Sequence, residues 1–253
     1  MLLLIDIGNT TITIGLYNRN KIKKVLRIKT IAGGRDTLEY EYILKGFISD
    51  LNLRKPAGAA VCSVVPEVTP LMIKALKAGF GVRPVNVSHK ARTGLKYLIK
   101  NKGELGEDRI ANAAAAHKLY KGNLIVVDFG TATTFCVITE KGEYTGGAIM
   151  PGLGLSAKAL AEKTSKLPLI ELKAPESAIG KDTGENIRSG VILGHAGAAE
   201  RIIREIKTET GKEYKVLATG GYAGAVTSYI RTIDYVDPLL TLEGLRIIYE
   251  MNS

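Results

Sequence analysis

The chain opens with an apolar run, Met1 to Ile5, that stops on Asp6, and from Thr11 the pattern changes to alternation, with Thr11, Thr13 and Gly15 interleaved with Ile12, Ile14 and Leu16. A continuous apolar run with β-branched character predicts a strand covered on both faces, and alternation predicts a second strand. Gly8-Asn9 between them is a dipeptide suited to positive φ, so the first seventeen residues predict a hairpin.

Lys23 to Lys29 alternates as a third strand, and Ile31 to Asp36 forms a glycine-rich loop. A helix follows, with Leu38, Tyr42, Leu44, Phe47 and Ile48 on one face and Asp36 or Thr37 as its N-cap. Pro56 to Gly58 closes this unit. Ala59 to Val65 reads as a buried strand ending in Ser63 and Pro66, Val68 to Ala78 as a helix, and Arg83 to Val87 as a short strand. Ser88 to Gly103 is a polar connection holding His89, Arg92 and Tyr97, and Gly106 opens an alanine-rich helix.

The opening pattern then recurs. Leu124 to Ile138, LIVVDFGTATTFCVI, again gives an apolar strand, an acidic residue, a glycine and threonine turn and a second strand, so Asp128 matches Asp6 about half a chain later. That predicts an internal duplication, with the halves presenting carboxylates to a shared cleft. Beyond it lie a glycine-rich strand and loop from Tyr144 to Leu155, a helix from Ser156 to Leu167, and an irregular stretch from Pro168 to Pro175. A long helix, Ile187 to Thr208, has small residues in its first half; Val216 to Gly224 reads as strand, diglycine turn and helix, suited to an adenine or ribose contact. Tyr235 to Leu240 and Leu242 to Glu250 read as a last strand and helix.

A turn of glycine, asparagine and threonine offers backbone N–H groups to an anion, and Asp6 beside it could hold a hydrated Mg²⁺. An ordinary hairpin in which Asp6 makes a turn accounts for the same pattern. Asp108 and Arg109, in the first turn of the alanine-rich helix, read either as a capping pair or as a proton acceptor beside an anion-gripping guanidinium. On chemistry alone capping wins.

Composition narrows the classes. Hydrophobic residues at 45% and charged residues at 24% over 253 positions match a folded globular chain and exclude a disordered or fibrous one. The net charge of +10 favours acidic ligands, but the lysines are dispersed and no aromatic platform interleaves with them, which predicts a solvated basic surface and no nucleic-acid partner. No apolar run reaches the length of a membrane span, and the opening leucines have no basic region before them, so neither a membrane partner nor a secretory signal is expected. Cys62 and Cys136, lone cysteines in apolar strands, read as buried small hydrophobes in a reducing, cytoplasmic setting.

Five patterns in one order resemble the type III pantothenate kinase family, within the superfamily of actin, hexokinase and Hsp70 ATPases: DIGNT at Asp6 to Thr10, GEDR at Gly106 to Arg109, DFGTATT at Asp128 to Thr134, GGAIMPG at Gly146 to Gly152 and GKDT at Gly180 to Thr183. The resemblance implies an α/β protein with a duplicated actin-like ATPase (ribonuclease H-like) fold: two mixed sheets flanked by helices around a central cleft, with halves at 1–118 and 119–253. It implies ATP-dependent phosphorylation of the terminal hydroxyl of pantothenate, giving 4'-phosphopantothenate, the first step of coenzyme A biosynthesis. Asp108 becomes the general base, and the resemblance thereby overrides capping as its role. Asp6, Ile7, Gly8, Asn9, Thr10, Thr11, Ile12, Thr13 and Thr131 become ATP contacts, with Mg²⁺ near Asp6 and a monovalent cation, K⁺ or NH₄⁺, at Asp128. Gly106, Glu107, Asp108, Arg109 and Thr183 become pantothenate contacts, in a cytoplasmic homodimer whose substrate pocket lies near the subunit interface. One departure stands out: where many members carry Tyr-Glu-Asn-Pro, this chain has Ile99 at the tyrosine's place, with Tyr97 two positions earlier as the candidate substitute. The rival readings are a kinase of another small hydroxyl compound, a non-catalytic accessory factor that binds nucleic acid or a regulator, and a non-catalytic ATP-binding module.

Overall fold

The structure, a computed structural model, describes residues 1–31, 33–49 and 55–253; the glycine-rich loop expected over 31–36 includes Ala32, outside the described residues. Contacts divide the chain into two compact units, one of Met1–Leu95, Lys100–Ala115 and Leu240–Ser253, the other of Lys96–Ile99 and Ala116–Leu239. The closing helix, which a division into 1–118 and 119–253 assigns to the second half, belongs to the first unit by its contacts.

In the first unit, β1 (Leu2–Ile7), β2 (Thr11–Asn18) and β3 (Lys21–Lys29) form an antiparallel meander, followed by α1 (Thr37–Ser49), β4 (Gly58–Ser63), α2 (Thr69–Phe80) and β5 (Val85–Asn86). The sheet order is β3-β2-β1-β4-β5, with β4 parallel to β1 and to β5. One face carries Leu3, Ile5, Ile7, Ile12, Ile14 and Val61 and packs on Tyr40, Leu44 and Phe47 of α1 and Met72 and Leu76 of α2. Period-two alternation then sends Leu4, Asp6, Thr13, Gly15 and Cys62 to the other face. That face is covered by α7 (Leu240–Asn252), for which glycines make room: a Cβ at Gly15 would meet Leu242, one at Gly58 would meet Tyr249, and one at Gly244 would meet the Ala111 backbone.

The helix α3 (Glu107–Leu119) is counted in the first unit up to Ala115. In the second unit, β6 (Lys96–Tyr97) precedes β7 (Leu124–Phe129), β8 (Ala132–Ile138), β9 (Glu143–Pro151), α4 (Leu153–Lys163), α5 (Thr183–Thr210), β10 (Lys215–Thr219), α6 (Ala223–Val226) and β11 (Tyr235–Val236). The sheet order is β11-β10-β7-β8-β9-β6, in which antiparallel β9-β8-β7 continue into parallel β10 and β11. This repeats the topology of the first sheet. Its core sets Ile125, Val127, Phe129 and Phe135 against Ile192, Ala196, Ala199 and Ile203 of α5.

Local chemistry explains where these elements begin. Asp36, one of two expected caps, is the one used: its Oδ1 accepts from Glu39 N at 2.9 Å and its own N–H donates to Glu39 Oε2 at 3.0 Å, a capping box. Asp182 also caps α5, accepting from Glu185 N at 2.8 Å, while Glu185 Oε2 accepts from Lys181 N at 2.7 Å, so that helix starts four residues before the periodicity predicts. Positive φ occurs not at Gly8-Asn9 but at Arg19 (49°) and Asn20 (61°), the turn between β2 and β3. The last strand stops at Val236, two residues before Pro238, in place of the expected Leu240.

Candidate active site

The first glycine turn is built by the β1–β2 pairing. Ile7 pairs with Ile12, and the intervening loop closes when Gly8 N–H donates to Thr11 O at 3.0 Å. Thr30, buried at the end of β3, braces it from behind: its Oγ1 donates to Gly8 O at 2.7 Å and its N–H to Thr10 O at 3.0 Å. These bonds occupy carbonyls that would otherwise repel an anion, while Asn9 and Thr10 stay exposed.

Asp6, half-buried at the end of β1, pairs in register with Thr13 on one side and Cys62 on the other. The Cys62 thiol donates to Asp6 Oδ1 at 3.3 Å. The next residue, Ser63, gives its N–H to Glu107 Oε2 at 3.1 Å, which docks the first turn of α3 onto the end of β4. Asp108 follows, its Oδ1 accepting from Arg109 N at 2.8 Å. Burial pushes the Asp108 carboxyl above the ordinary aspartate value, and the N–H groups of Arg109 and Asp108 and the Arg109 charge pull part of it back. Burial likewise raises Glu107, opposed by Ser63 N–H and reinforced by Asp108. Gly106 leaves space for the carboxylate, since a Cβ there would lie 2.5 Å from Asp108 Oδ1.

In the second unit, Asp128 ends β7 opposite Thr134 and beside Thr219 of β10. Backbone crowds its turn. Gly220, at φ +96°, sits where a Cβ would collide with Asp128 Oδ1 and the Phe129 backbone, and Gly152 where one would collide with the carbonyls of Gly130 and Thr131. Gly152 N also donates to Thr131 O at 3.1 Å, leaving the Thr131 side of the turn exposed. Behind the turn, fully buried Thr133 shares a 2.9 Å hydrogen bond between its Oγ1 and His195 Nε2 of α5, and burial lowers that imidazole's pKa.

Thr183, exposed at the start of α5, lines an apolar cavity of about 780 Å³ together with Met150, Ser156, Leu160, Ile187 and His195. Tyr97 is buried in β6, its ring 6.2 Å from that of Tyr144, and Ile99 is half-exposed. Sequence reasoning missed β6, Thr30, Cys62 as a donor, and His195. Only Gly220 left a signal, the diglycine after a strand.

Among the described residues no three His, Cys, Asp or Glu side chains converge as a metal cage. Mg²⁺ does not need one, because it keeps waters and takes one or two carboxylates plus substrate phosphates; a single strand-end carboxylate such as Asp6 fits. Asp128, half-buried at the matching strand end, presents a single carboxylate against which Gly220 packs. Among the described residues no helix is long and apolar enough to cross a membrane.

Comparison with known proteins matches residues 2–205 to the type III pantothenate kinase family. A type III pantothenate kinase from Roseiflexus sp. (strain RS-1) is 46% identical over 256 residues, covering 100% of this chain and 99% of that one. Among solved structures, one described as a Baf family transcriptional activator from Campylobacter jejuni superposes with a TM-score of 0.60 at 20% identity, covering 98% of this chain and 97% of that one. An inorganic polyphosphate/ATP-glucomannokinase from an Arthrobacter species superposes with a TM-score of 0.50 at 16% identity, covering 98% and 96%. At such identities these two likenesses speak for the fold alone, that of the actin-like ATPases and sugar kinases.

Proposed function

The chain belongs to the type III pantothenate kinase family, a phosphotransferase that phosphorylates pantothenate in coenzyme A biosynthesis, and from that premise we propose how its residues divide the work. Asp108 is the general base. It accepts the proton of the terminal hydroxyl of pantothenate as that oxygen takes the γ-phosphoryl group of ATP. The observation that carries this assignment is the half-buried Asp108 carboxylate at the head of α3, docked by Glu107 onto the strand end next to Asp6.

The Asp6 to Thr13 hairpin holds the ATP phosphates through the backbone and hydroxyls of its turn, with its carbonyls braced by Thr30. Asp6 would hold Mg²⁺, which neutralises developing phosphate charge when bound. Thr131 contacts ATP, and Asp128 would hold K⁺ or NH₄⁺, which when bound would offset part of the nucleotide charge. Gly106 to Arg109 contact pantothenate, the Arg109 guanidinium being suited to its carboxylate. Thr183 contributes from the edge of the apolar cavity, which a second copy of the chain would cover in a cytoplasmic homodimer. The halves 1–118 and 119–253 each carry one copy of the duplicated strand pattern, with the closing helix packed back on the first unit. Tyr97, buried against Tyr144, has a packing role in support of that sheet.

Steady-state transfer from ATP to pantothenate, with other small hydroxyl compounds as competitors, tests the assignment. Faster turnover of a different alcohol would transfer the same machinery to that substrate.

A further inference from the structure

We propose that Cys62 and Glu107 are positioning residues for phosphoryl transfer: acting through the end of β4, they hold the Asp6 and Asp108 carboxylates in a fixed relation. The inference rests on the assignment of Asp108 as base and Asp6 as the Mg²⁺-side carboxylate.

Five hydrogen bonds carry it. The Cys62 thiol donates to Asp6 Oδ1 at 3.3 Å across the β1–β4 register. Ser63 N–H donates to Glu107 Oε2 at 3.1 Å, next to Asp108. Ser63 is itself immobilised, its Oγ accepting from Thr69 Oγ1 at 2.7 Å and from Val65 N at 3.1 Å. Val64 N–H donates to Ile7 O at 3.0 Å, which ties the same strand end to the start of the first glycine turn. Two successive residues of one strand thus grip the acidic end of β1 and the acidic start of α3.

A buried cysteine that only fills space would have no need of a polar partner. Side chains that hold the backbone around a reacting or metal-holding carboxylate set its geometry through those hydrogen bonds.

The test compares Cys62→Ala with Cys62→Ser, and Glu107→Ala with Glu107→Gln, since the second of each pair keeps a group able to make the bond. Each alanine variant should lower kcat by about 10-fold, with a rise in the Mg²⁺ concentration for half-maximal rate in Cys62→Ala, and each conservative variant should recover most of the loss. An infrared measurement on the protein without nucleotide or metal gives a readout independent of turnover. With Cys136 replaced by alanine, the remaining S–H band belongs to Cys62, and Asp6→Asn should move it to higher frequency as the acceptor weakens. Equal loss in the alanine and conservative variants, no loss in either alanine variant, or an S–H band indifferent to Asp6→Asn would each overturn the positioning role. Failure of the underlying assignment shows separately: if Asp108→Asn turns over like the wild type, the base role falls and the positioning role with it.

Discussion

Gly220 lies against Asp128 so closely that a methyl group on its Cα would overlap the carboxylate oxygen Oδ1. The contact joins the end of β10 to the end of β7 and excludes any side chain from the backbone beside the proposed cation site. Gly220→Ala should therefore destabilise the protein by about 1–3 kcal/mol and weaken ATP binding. Gly122 separates the causes, because its φ of +95° nearly equals the +96° of Gly220 while open space surrounds it. Gly122→Ala should cost stability through backbone strain alone and leave ATP affinity unchanged in calorimetric titration.

The cation assignment predicts that replacing K⁺ by Na⁺ lowers turnover or weakens ATP binding, and that Asp128→Ala reproduces the loss and no longer responds to the exchange. Equal rates in both salts, with Asp128→Ala unimpaired, would remove the cation from the site.

His195 predicts a pH effect on stability. Its folded-state pKa is lowered by burial, so below the unfolded histidine pKa of about 6.5 the unfolded chain takes a proton that the folded site resists. Stability is lost as pH falls from there through the folded pKa. His195→Gln, which keeps a partner for Thr133 Oγ1 and does not titrate, should lose less between neutral and acid pH than the wild type does in denaturant titrations. His117, also lowered, is common to both proteins and cancels.

Asp108 carries the opposite sign. A raised carboxyl pKa means that the folded state binds the proton more tightly, a stabilisation present below the unfolded pKa and lost as pH rises through the folded one. Asp108→Asn should therefore be more stable than the wild type at neutral pH, with the gap closing in acid. Turnover should run the other way: the wild-type rate should fall on acidification with a limb above the ordinary aspartate pKa, because the base must be ionised.

The features legible in the sequence are those written within a few adjacent residues. The apolar strand, acidic end and glycine turn at Asp6 and again at Asp128 announce themselves by local pattern, and the structure gives both the same pairing scheme. Asp36 is recognisable as a cap candidate because a capping box spans only four positions. Asp108 is ambiguous in sequence for the same reason: its place in a first helical turn is what a cap would show, and its docking through Glu107 to Ser63 depends on residues far apart along the chain. Cys62 and Thr30 are opaque as polar partners because their roles arise from strand pairing, which no local period encodes. The lone pair Lys96 and Tyr97 is too short a strand to show alternation at all.

The most direct test is the initial rate of phosphoryl transfer from ATP to pantothenate, with Mg²⁺ and K⁺ present, for the wild type and for Asp108→Asn. With Asp108 as the base, the wild type should transfer and the variant should be slower by about 10²-fold or more, with the fold and ATP binding retained. Near wild-type turnover by Asp108→Asn would contradict that role.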